Sequence, residues 1–223
     1  MRSGEDRPLV RPPRLRAGLS QSDDPETLGD EDEFVDLFCE GWNLSAQQAA
    51  DISFVGCRLK RVDLARSVLE RLKLVDCRLE ACDLSAADLD HLTAARVEVT
   101  DSRFSGTLSP AAKLTDVHFS RCKLDQANLR FAQLTRVVFE DCVLVEADFQ
   151  GADLTGAGLI DCDLGQADFS KATMTGARLA GSKVATVRGA AALRGAYVSR
   201  EQLSELAWPL ASAIGLLIDD EAT

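Results

Sequence analysis

The sequence predicts an all-β solenoid that ends in a short helical segment, and three features predict it. An apolar residue recurs every five positions from Leu44 to Val184, and 26 of these 29 residues are Leu, Phe, Val or Met. A small residue lies two positions before most of them, as Ala147 does before Phe149. The five-residue spacing matches neither the period of an α-helix nor that of a β-strand. An apolar pattern with helical spacing begins only after Ser199.

The repeated unit reads A-(D/N)-(L/F)-x-x. Its small and large apolar residues are two positions apart, so both side chains point inward while the other three point outward. Each unit therefore makes one short side of a coil and then turns. Coils stack through parallel hydrogen bonds, because no single unit can bury its apolar face alone.

The A-(D/N)-(L/F)-x-x pattern resembles the pentapeptide repeat family over residues 34–188. The resemblance implies a right-handed quadrilateral β-helix in which four units, or twenty residues, form one coil. Nearly eight coils stacked at about 4.8 Å make a rod of roughly 37 Å. Residues twenty positions apart then stack, so we expect Phe119 to lie over Phe139 and Phe149 over Phe169.

Length and charge limit the class of protein. The chain has 223 residues and a net charge of −11, which fits one domain with tails. No run approaches the ~20 apolar residues of a membrane helix, and the first residues hold no apolar signal core. We therefore expect a cytoplasmic protein that does not contact a membrane. Strong acidity also disfavours direct nucleic-acid binding, because phosphates are repelled.

The cysteines and histidines predict neither catalysis nor a metal site. Six of the seven cysteines lie at the small inward position, and Cys39 lies at the large one. Cys122, Cys142 and Cys162 could form a metal or redox ladder, but small apolar filling is the favoured interpretation. The chain has only two histidines and no CxxC, HExxH or glycine-rich phosphate motif. We expect no enzymatic activity, cofactor or metal.

Segments outside the repeat divide the chain into three parts. Residues 1–33 are expected to be a disordered extension, residues 34–188 the repeat, and residues 189–223 a helical C-terminal segment. The stretch 23–40 holds nine acidic residues and no basic one, which is typical of a solvated tail. Phe34, Phe38 and Trp42 are expected to cover the first coil. Pro110 removes a backbone donor within the repeat and predicts a bulge there.

The C-terminal segment predicts two helices. Ser199 and Gln202 form a capping box, and Pro209 should break or kink the helix that follows. A stripe with helical spacing could fold onto its own last coil or join two chains across a two-fold axis. The dimer is favoured because the stripe is long for one coil end. The stripe consists of Leu203, Leu206, Leu210, Ile214 and Leu217.

The two ends of the repeat resemble the fluoroquinolone-resistance branch of the family, which includes MfpA and the Qnr proteins. The stretches that carry the resemblance are LRGAYVSREQLSELAWPLASAIGLLI and FVDLFCEGWNLSAQQAADISFVGCRL. The resemblance implies a head-to-head homodimer through the C-terminal helices, binding to DNA gyrase and protection against quinolones. The phase of five is unbroken here, which favours MfpA over the loop-bearing Qnr proteins.

Charge is distributed unevenly along the predicted rod. Residues 44–136 are nearly neutral, whereas residues 137–170 contain no Lys or Arg and eight acids. These acids all lie at outward positions and are Glu140, Asp141, Glu146, Asp148, Asp153, Asp161, Asp163 and Asp168. Asp at the position before the large apolar residue also helps the turn, which explains four of them.

A narrow rod with regularly spaced carboxylates resembles duplex DNA electrostatically. The sequence therefore predicts a DNA-mimicking protein, about 75–90 Å long as a dimer, that occupies the DNA gate of gyrase. The alternative is a non-enzymatic repeat scaffold that binds another protein.

Overall fold

The protein, described here by a computed structural model over residues 10–217, is a parallel β-solenoid of about seven turns. Two short helices follow the last turn, as predicted. The strands are β1 (Ser20–Ser22), β2 (Glu33–Val35), β3 (Leu37–Glu40), β4 (Gln48–Ala50), β5 (Ser53–Val55), β6 (Arg58–Lys60), β7 (Val68–Glu70), β8 (Lys73–Glu80), β9 (Thr93–Thr100), β10 (Lys113–Ser120), β11 (Gln133–Glu140) and β12 (Gly158–Ile160). A 3₁₀ turn (Ala190–Leu193) precedes α1 (Arg200–Glu205) and α2 (Ala207–Ala213). No helix within residues 10–217 has both the length and the apolarity needed to cross a bilayer.

The twenty-residue coil is confirmed by the strand register. Leu114 pairs with Leu134 between β10 and β11, and Val138 pairs with Gly158 between β11 and β12. Each of the long strands β8 to β11 spans two units of one coil. Single parallel bridges with the same offset, such as Asp88 to Leu108, hold the other two units.

The interior consists of like side chains in columns, as the twenty-residue offset predicts. The rings of Phe119 and Phe139 stack with centroids 4.9 Å apart, and those of Phe149 and Phe169 stack at 5.3 Å. Leu, Ala, Val and Cys fill most of the remaining columns and are almost completely buried. The narrow bore explains why a chain so rich in apolar residues has few aromatic ones.

Each corner of the coil is made by a residue in the left-handed conformation. The second residue after the large apolar one has φ between about 50° and 75° along the repeat, whether or not it is glycine. At Ala86, for example, φ is 53° and the amide donates to the carbonyl of Ser105 in the next coil at 2.9 Å. The next coil therefore compensates for a conformation that costs a residue other than glycine about 1 kcal/mol.

We expect Ala86→Gly to raise the free energy of unfolding by about 0.5–1 kcal/mol, because glycine adopts this corner without steric cost. Thermal unfolding followed by circular dichroism measures the change. Ala65→Gly is the matched control. Ala65 lies outside the left-handed corner positions, so glycine there should lower the midpoint. An equal effect at both positions would contradict the corner argument.

The Asp or Asn before the large apolar residue stabilises the turn by accepting a backbone amide. Asp63 and Asp148 each accept the amide two positions later, at 2.9 Å from Ala65 and Gln150. This confirms the turn role that the repeat pattern predicts for Asp and Asn. Because the side chain satisfies that amide, the amide is not needed for pairing between coils.

That arrangement makes the predicted bulge at Pro110 wrong. Pro110 stands where the amide would bind a side chain in its own coil, so the ladder loses no bond. Ser109 donates to Asn128 at 2.9 Å and Ala111 donates to Arg130 at 2.7 Å, as in a regular coil. The side chain that would accept an amide at position 110 belongs to Leu108. Because leucine has no polar atom, no acceptor is left unsatisfied by the proline.

All seven cysteines are buried and unpaired, which confirms that they point inward. The thiol of Cys122, for example, donates to the carbonyl of Val99 at 3.5 Å. Burial raises the pKa of Cys77 to about 12 and that of Cys82 to about 11. Within residues 10–217, no three His, Cys, Asp or Glu side chains are grouped to hold a metal ion.

We expect the native protein to react with none of its seven thiols at neutral pH, because all seven are buried away from the reagent. This includes Cys57, where a hydrogen bond with Cys39 lowers the pKa to about 7 and favours the reactive thiolate. A chromogenic disulfide reagent should report less than one thiol per chain before unfolding and seven in denaturant. Fast reaction of Cys77 or Cys82 in the native state would show that these thiols are accessible.

The N-terminal segment departs from the expected disorder within the described residues 10–33, and residues 1–9 lie outside the described residues. β1 pairs in parallel with β3, and the indole of Trp42 donates to the carbonyl of Ser22 at 3.1 Å. The carboxylate of Asp24 accepts the amide of Asn43, and that of Asp30 accepts the amide of Ala50, both at 2.8 Å. The acidic stretch therefore satisfies amides that the first coil leaves without a partner coil.

Candidate partner-binding surfaces

The eight acids of residues 137–170 lie around the rod rather than on one face. The twenty-residue register places four beside one corner, three beside the next corner and one apart from both. We name the first group the first acidic edge, and its members are Glu140, Asp141, Asp161 and Asp163. The second acidic edge consists of Glu146, Asp148 and Asp168, and Asp153 stands alone.

Corner aspartates in the N-terminal half of the rod are paired with arginines one coil later. Asp101 accepts two hydrogen bonds from Arg121, at 2.8 and 2.9 Å. The Arg guanidinium in each such pair lowers the pKa of the carboxyl. The four pairs are Asp51 with Arg71, Asp76 with Arg96, Asp101 with Arg121, and Asp116 with Arg136.

This pairing stops at Asp141. The residue one coil after Asp141 is Asp161, and the residue one coil after Asp161 is Gly181. Both aspartates are exposed, and neither forms an ion pair within residues 10–217. The carboxylate of Asp161 lies over Gly181, where a Cβ would overlap its Oδ1 atom. Two carboxylates without an ion-pair partner in the described residues are therefore stacked about 4.8 Å apart on one corner, although the charge of Asp141 also interacts with that of Arg121 one coil earlier.

The other members of the first acidic edge have partners. His118 Nε2 lies 3.0 Å from Glu140, which is partly buried. Lys183 lies 2.8 Å from Asp163 and lowers the pKa of that carboxyl. Residues outside 137–170 therefore neutralise part of the charge that the sequence places there.

The second acidic edge is mostly structural. Asp148 and Asp168 accept the amides of Gln150 and Ser170, at 2.9 and 2.8 Å. Arg130 lies 3.7 Å from Asp148, and Gln126 donates to Glu146 at 3.0 Å. Asp153 accepts the amide of Thr155. Of the eight predicted residues, Asp141 and Asp161 are therefore the best candidates for binding an external partner.

The C-terminal helices are anchored to the last coil. Ser199 and Gln202 form the predicted capping box, and the helix breaks at Leu206, three residues before Pro209. The side chain of Gln202 is buried and donates to the carbonyls of Leu179 and Ser182. A buried glutamine with both amide hydrogens bonded fixes α1 on the end of the rod.

The predicted apolar stripe divides into two sets. Leu206 is only 2% exposed and Leu210 is partly buried, so both pack against the chain's own last coil. Leu203, Ile214 and Leu217 are exposed, with Ile214 at 71%. Trp208 and Leu216 extend this exposed set, at 65% and 60%. The sequence pattern missed Trp208, although an aromatic residue beside a helical stripe was the available signal.

Comparison with protein-family models finds two matches inside the solenoid. A model described as pentapeptide repeat region matches residues 112–188, and one described as pentapeptide repeats (8 copies) matches residues 52–90. A comparison with curated proteins finds no match.

Solved structures with similar coils have low sequence identity to the chain. Full-length QnrB1, a plasmid-mediated fluoroquinolone resistance protein, is 18% identical, with 85% of this chain and 94% of that chain covered and a TM-score of 0.44. HetL, a pentapeptide repeat protein involved in heterocyst differentiation regulation from the cyanobacterium Nostoc sp. strain PCC 7120, is 16% identical, with 71% and 89% covered and a TM-score of 0.26. The two family-model matches together span just over half of the chain, which therefore belongs to the pentapeptide repeat family.

Proposed function

We propose that the protein mimics duplex DNA, binds DNA gyrase at its DNA gate as a homodimer, and protects the enzyme from quinolones or similar poisons. The proposal involves no catalysis by this chain. The observation that carries it is the end of the Asp–Arg pairing at Asp141 and Asp161, which leaves two stacked carboxylates for an external cation.

The carboxylate spacing supports this proposal. Stacked corner residues repeat at about 4.8 Å along the rod, which is of the same order as the ~3.4 Å axial rise per phosphate of one DNA strand. Each carboxylate stands on a corner whose amide is bonded to the next coil, at 3.1 Å from Asp141 to Ile160 and 2.9 Å from Asp161 to Ala180. The charges are thus held by a rigid backbone, as phosphates are held by a duplex. A basic DNA-binding groove would attract such a rod by the same steering that attracts DNA.

The exposed C-terminal set supports the homodimer. Leu203, Trp208 and Ile214 are exposed apolar side chains at the end of the rod, where an isolated chain would leave them in water. A two-fold axis through this end would bring two copies of the same surface together. It would also place the two first acidic edges on either side of the axis, with Asp161 one coil nearer to it than Asp141.

A gyrase supercoiling assay with purified protein tests the proposal. We expect inhibition, relief of quinolone-stabilised DNA cleavage, or both, at micromolar dimer. Binding should weaken as salt increases, because the contact is electrostatic. No effect on supercoiling or on cleavage at micromolar dimer would overturn the gyrase proposal.

The alternative is a non-enzymatic scaffold that binds another protein. It is favoured by two exposed apolar side chains outside the first acidic edge, Phe131 at 58% and Leu108 at 43% exposure. Phe131→Ala with Leu108→Ala should leave gyrase inhibition unchanged if the first proposal holds. Loss of gyrase inhibition in this variant would instead place the contact on that face.

A further inference from the structure

Residues 10–16, which we name the arm, lie outside the coils along one column of corner residues. The column places an aspartate in every second coil and shares the offset of twenty seen in the strands. Its members are Asp36, Gly56, Asp76, Arg96, Asp116 and Arg136. The arm passes these aspartates in reverse chain order, with Arg16 at Asp36, Arg14 at Asp76 and Arg11 at Asp116.

Two of the three contacts involve the backbone of the arm. The amide of Arg14 donates to Asp76 Oδ1 at 2.9 Å, and the amide of Arg11 donates to Asp116 Oδ1 at 3.2 Å. The third is an ion pair of 2.9 Å between Arg16 and Asp36, with the arginine side chain 79% exposed. The column therefore recognises the arm mainly through amide hydrogens rather than through arginine charge.

The acceptors are oriented by arginines of the rod as well as by the arm. Arg96 holds both oxygens of Asp76 at 2.7 and 2.6 Å, and Arg136 holds both oxygens of Asp116 at 2.6 and 2.7 Å. With the arm in place, Asp116 is only 3% exposed. Acceptors that are held by rod arginines lower the entropic cost of binding.

The spacing of the arm matches the spacing of the column. Arg11 and Arg14 are three residues apart and enclose Pro12 and Pro13. A polyproline II segment advances about 3.1 Å per residue, so three residues span about 9.3 Å. Two coils span about 9.6 Å. One turn of polyproline II therefore fits two coils of the solenoid, and both amides reach their carboxylates without bending the arm.

We propose that this column is a recognition groove for extended, proline-rich segments with a free amide at every third residue, and that the arm occupies it reversibly. Polyproline II segments are suited to such a groove because they are extended before binding and lose little entropy. Beside the arm lies a hollow lined by Leu15, Leu19 and Phe38 together with Arg16, Arg58 and Arg78. Release of the arm would open the groove to a second segment of the same chemistry.

Two full-length variants with equal loss of charge test the groove. Arg11→Pro with Arg14→Pro removes both amide donors and preserves polyproline II geometry. Arg11→Ala with Arg14→Ala removes the same side chains and keeps both donors. We expect trypsin to cleave the Arg16–Ala17 bond at least tenfold faster in the proline variant than in the alanine variant.

Binding in trans provides the second measurement. A fluorescent peptide with the sequence of residues 10–19, VRPPRLRAGL, should bind the proline variant saturably and bind the alanine variant at least tenfold more weakly. The tethered arm competes at millimolar effective concentration in the alanine variant.

Equal cleavage rates in the two variants would overturn recognition through the amides. Faster cleavage without peptide binding would overturn the groove, because an arm that only lies on the surface can be freed without leaving a binding site.

Discussion

Asp141→Asn with Asp161→Asn is expected to raise the concentration for half-inhibition of gyrase at least tenfold, equivalent to about 1.4 kcal/mol. Each dimer loses four carboxylates that have no ion-pair partner within residues 10–217. Asparagine preserves the shape of the side chain and tolerates the left-handed corner, so the rod should keep its stability. A dose series of supercoiling assays at two salt concentrations measures the effect, and any remaining inhibition should depend less on salt.

Glu26→Gln with Glu33→Gln is the matched control. These two exposed acids at the other end of the rod give the same change in net charge. We expect inhibition by this variant to equal that of the parent protein. A similar loss in both variants would indicate that only total charge matters and would contradict mimicry through the first acidic edge.

Leu203→Arg with Ile214→Arg is expected to convert the proposed dimer into a monomer, with a dimer dissociation constant at least a hundredfold higher, or about 2.7 kcal/mol. Both side chains are more than half exposed in the single chain, so arginine is accommodated there without unfolding. In the proposed dimer each would place a cation within a closed apolar contact. Light scattering measures the mass, and gyrase inhibition should fall with it.

Leu206→Ala distinguishes the dimer interface from the packing of the C-terminal helices on the chain's own last coil. Leu206 is buried against the last coil, so truncation should cost about 2–4 kcal/mol of stability while the remaining folded protein stays dimeric. A double-arginine variant that retains the mass of two chains would contradict the interface. Loss of dimer in the Leu206 variant with no loss of stability would place Leu206 in the interface instead.

The repeat was predictable because its core columns have few alternatives. Inward positions hold small or large apolar side chains with a few buried Ser and Thr, such as Ser102, so the period of five is visible from Leu44 to Val184. The corner conformation was not predictable in the same way. Residues as different as Ala86, Arg121 and Asp141 occupy it, because its stability comes from the bond to the next coil. Glycine recurs at the same position, as at Gly106 and Gly156, and was the available signal.

The candidate site was predicted only in part for a similar reason. Counting charges along the chain found the acids but not their partners, because a partner lies twenty residues away. Writing the sequence in rows of twenty places Arg121 above Asp101 and Lys183 above Asp163. The acidic N-terminal stretch predicts a tail, because the sequence does not reveal that the first coil needs acceptors for amides such as that of Asn43.

Because every coil has the same length, the height of a surface residue along the rod and the side of the rod that it faces can change independently. An insertion of twenty residues between Gly181 and the C-terminal helices would increase the distance of Asp161 from the end of the rod by about 4.8 Å. The side chain would still point in the same direction relative to that end. An insertion of five residues would instead rotate Asp161 relative to the C-terminal helices by one of the four sides of the coil, while its height along the rod would hardly change. Distance and direction of a surface charge can therefore change separately, in steps set by the backbone, while the core residues keep their columns.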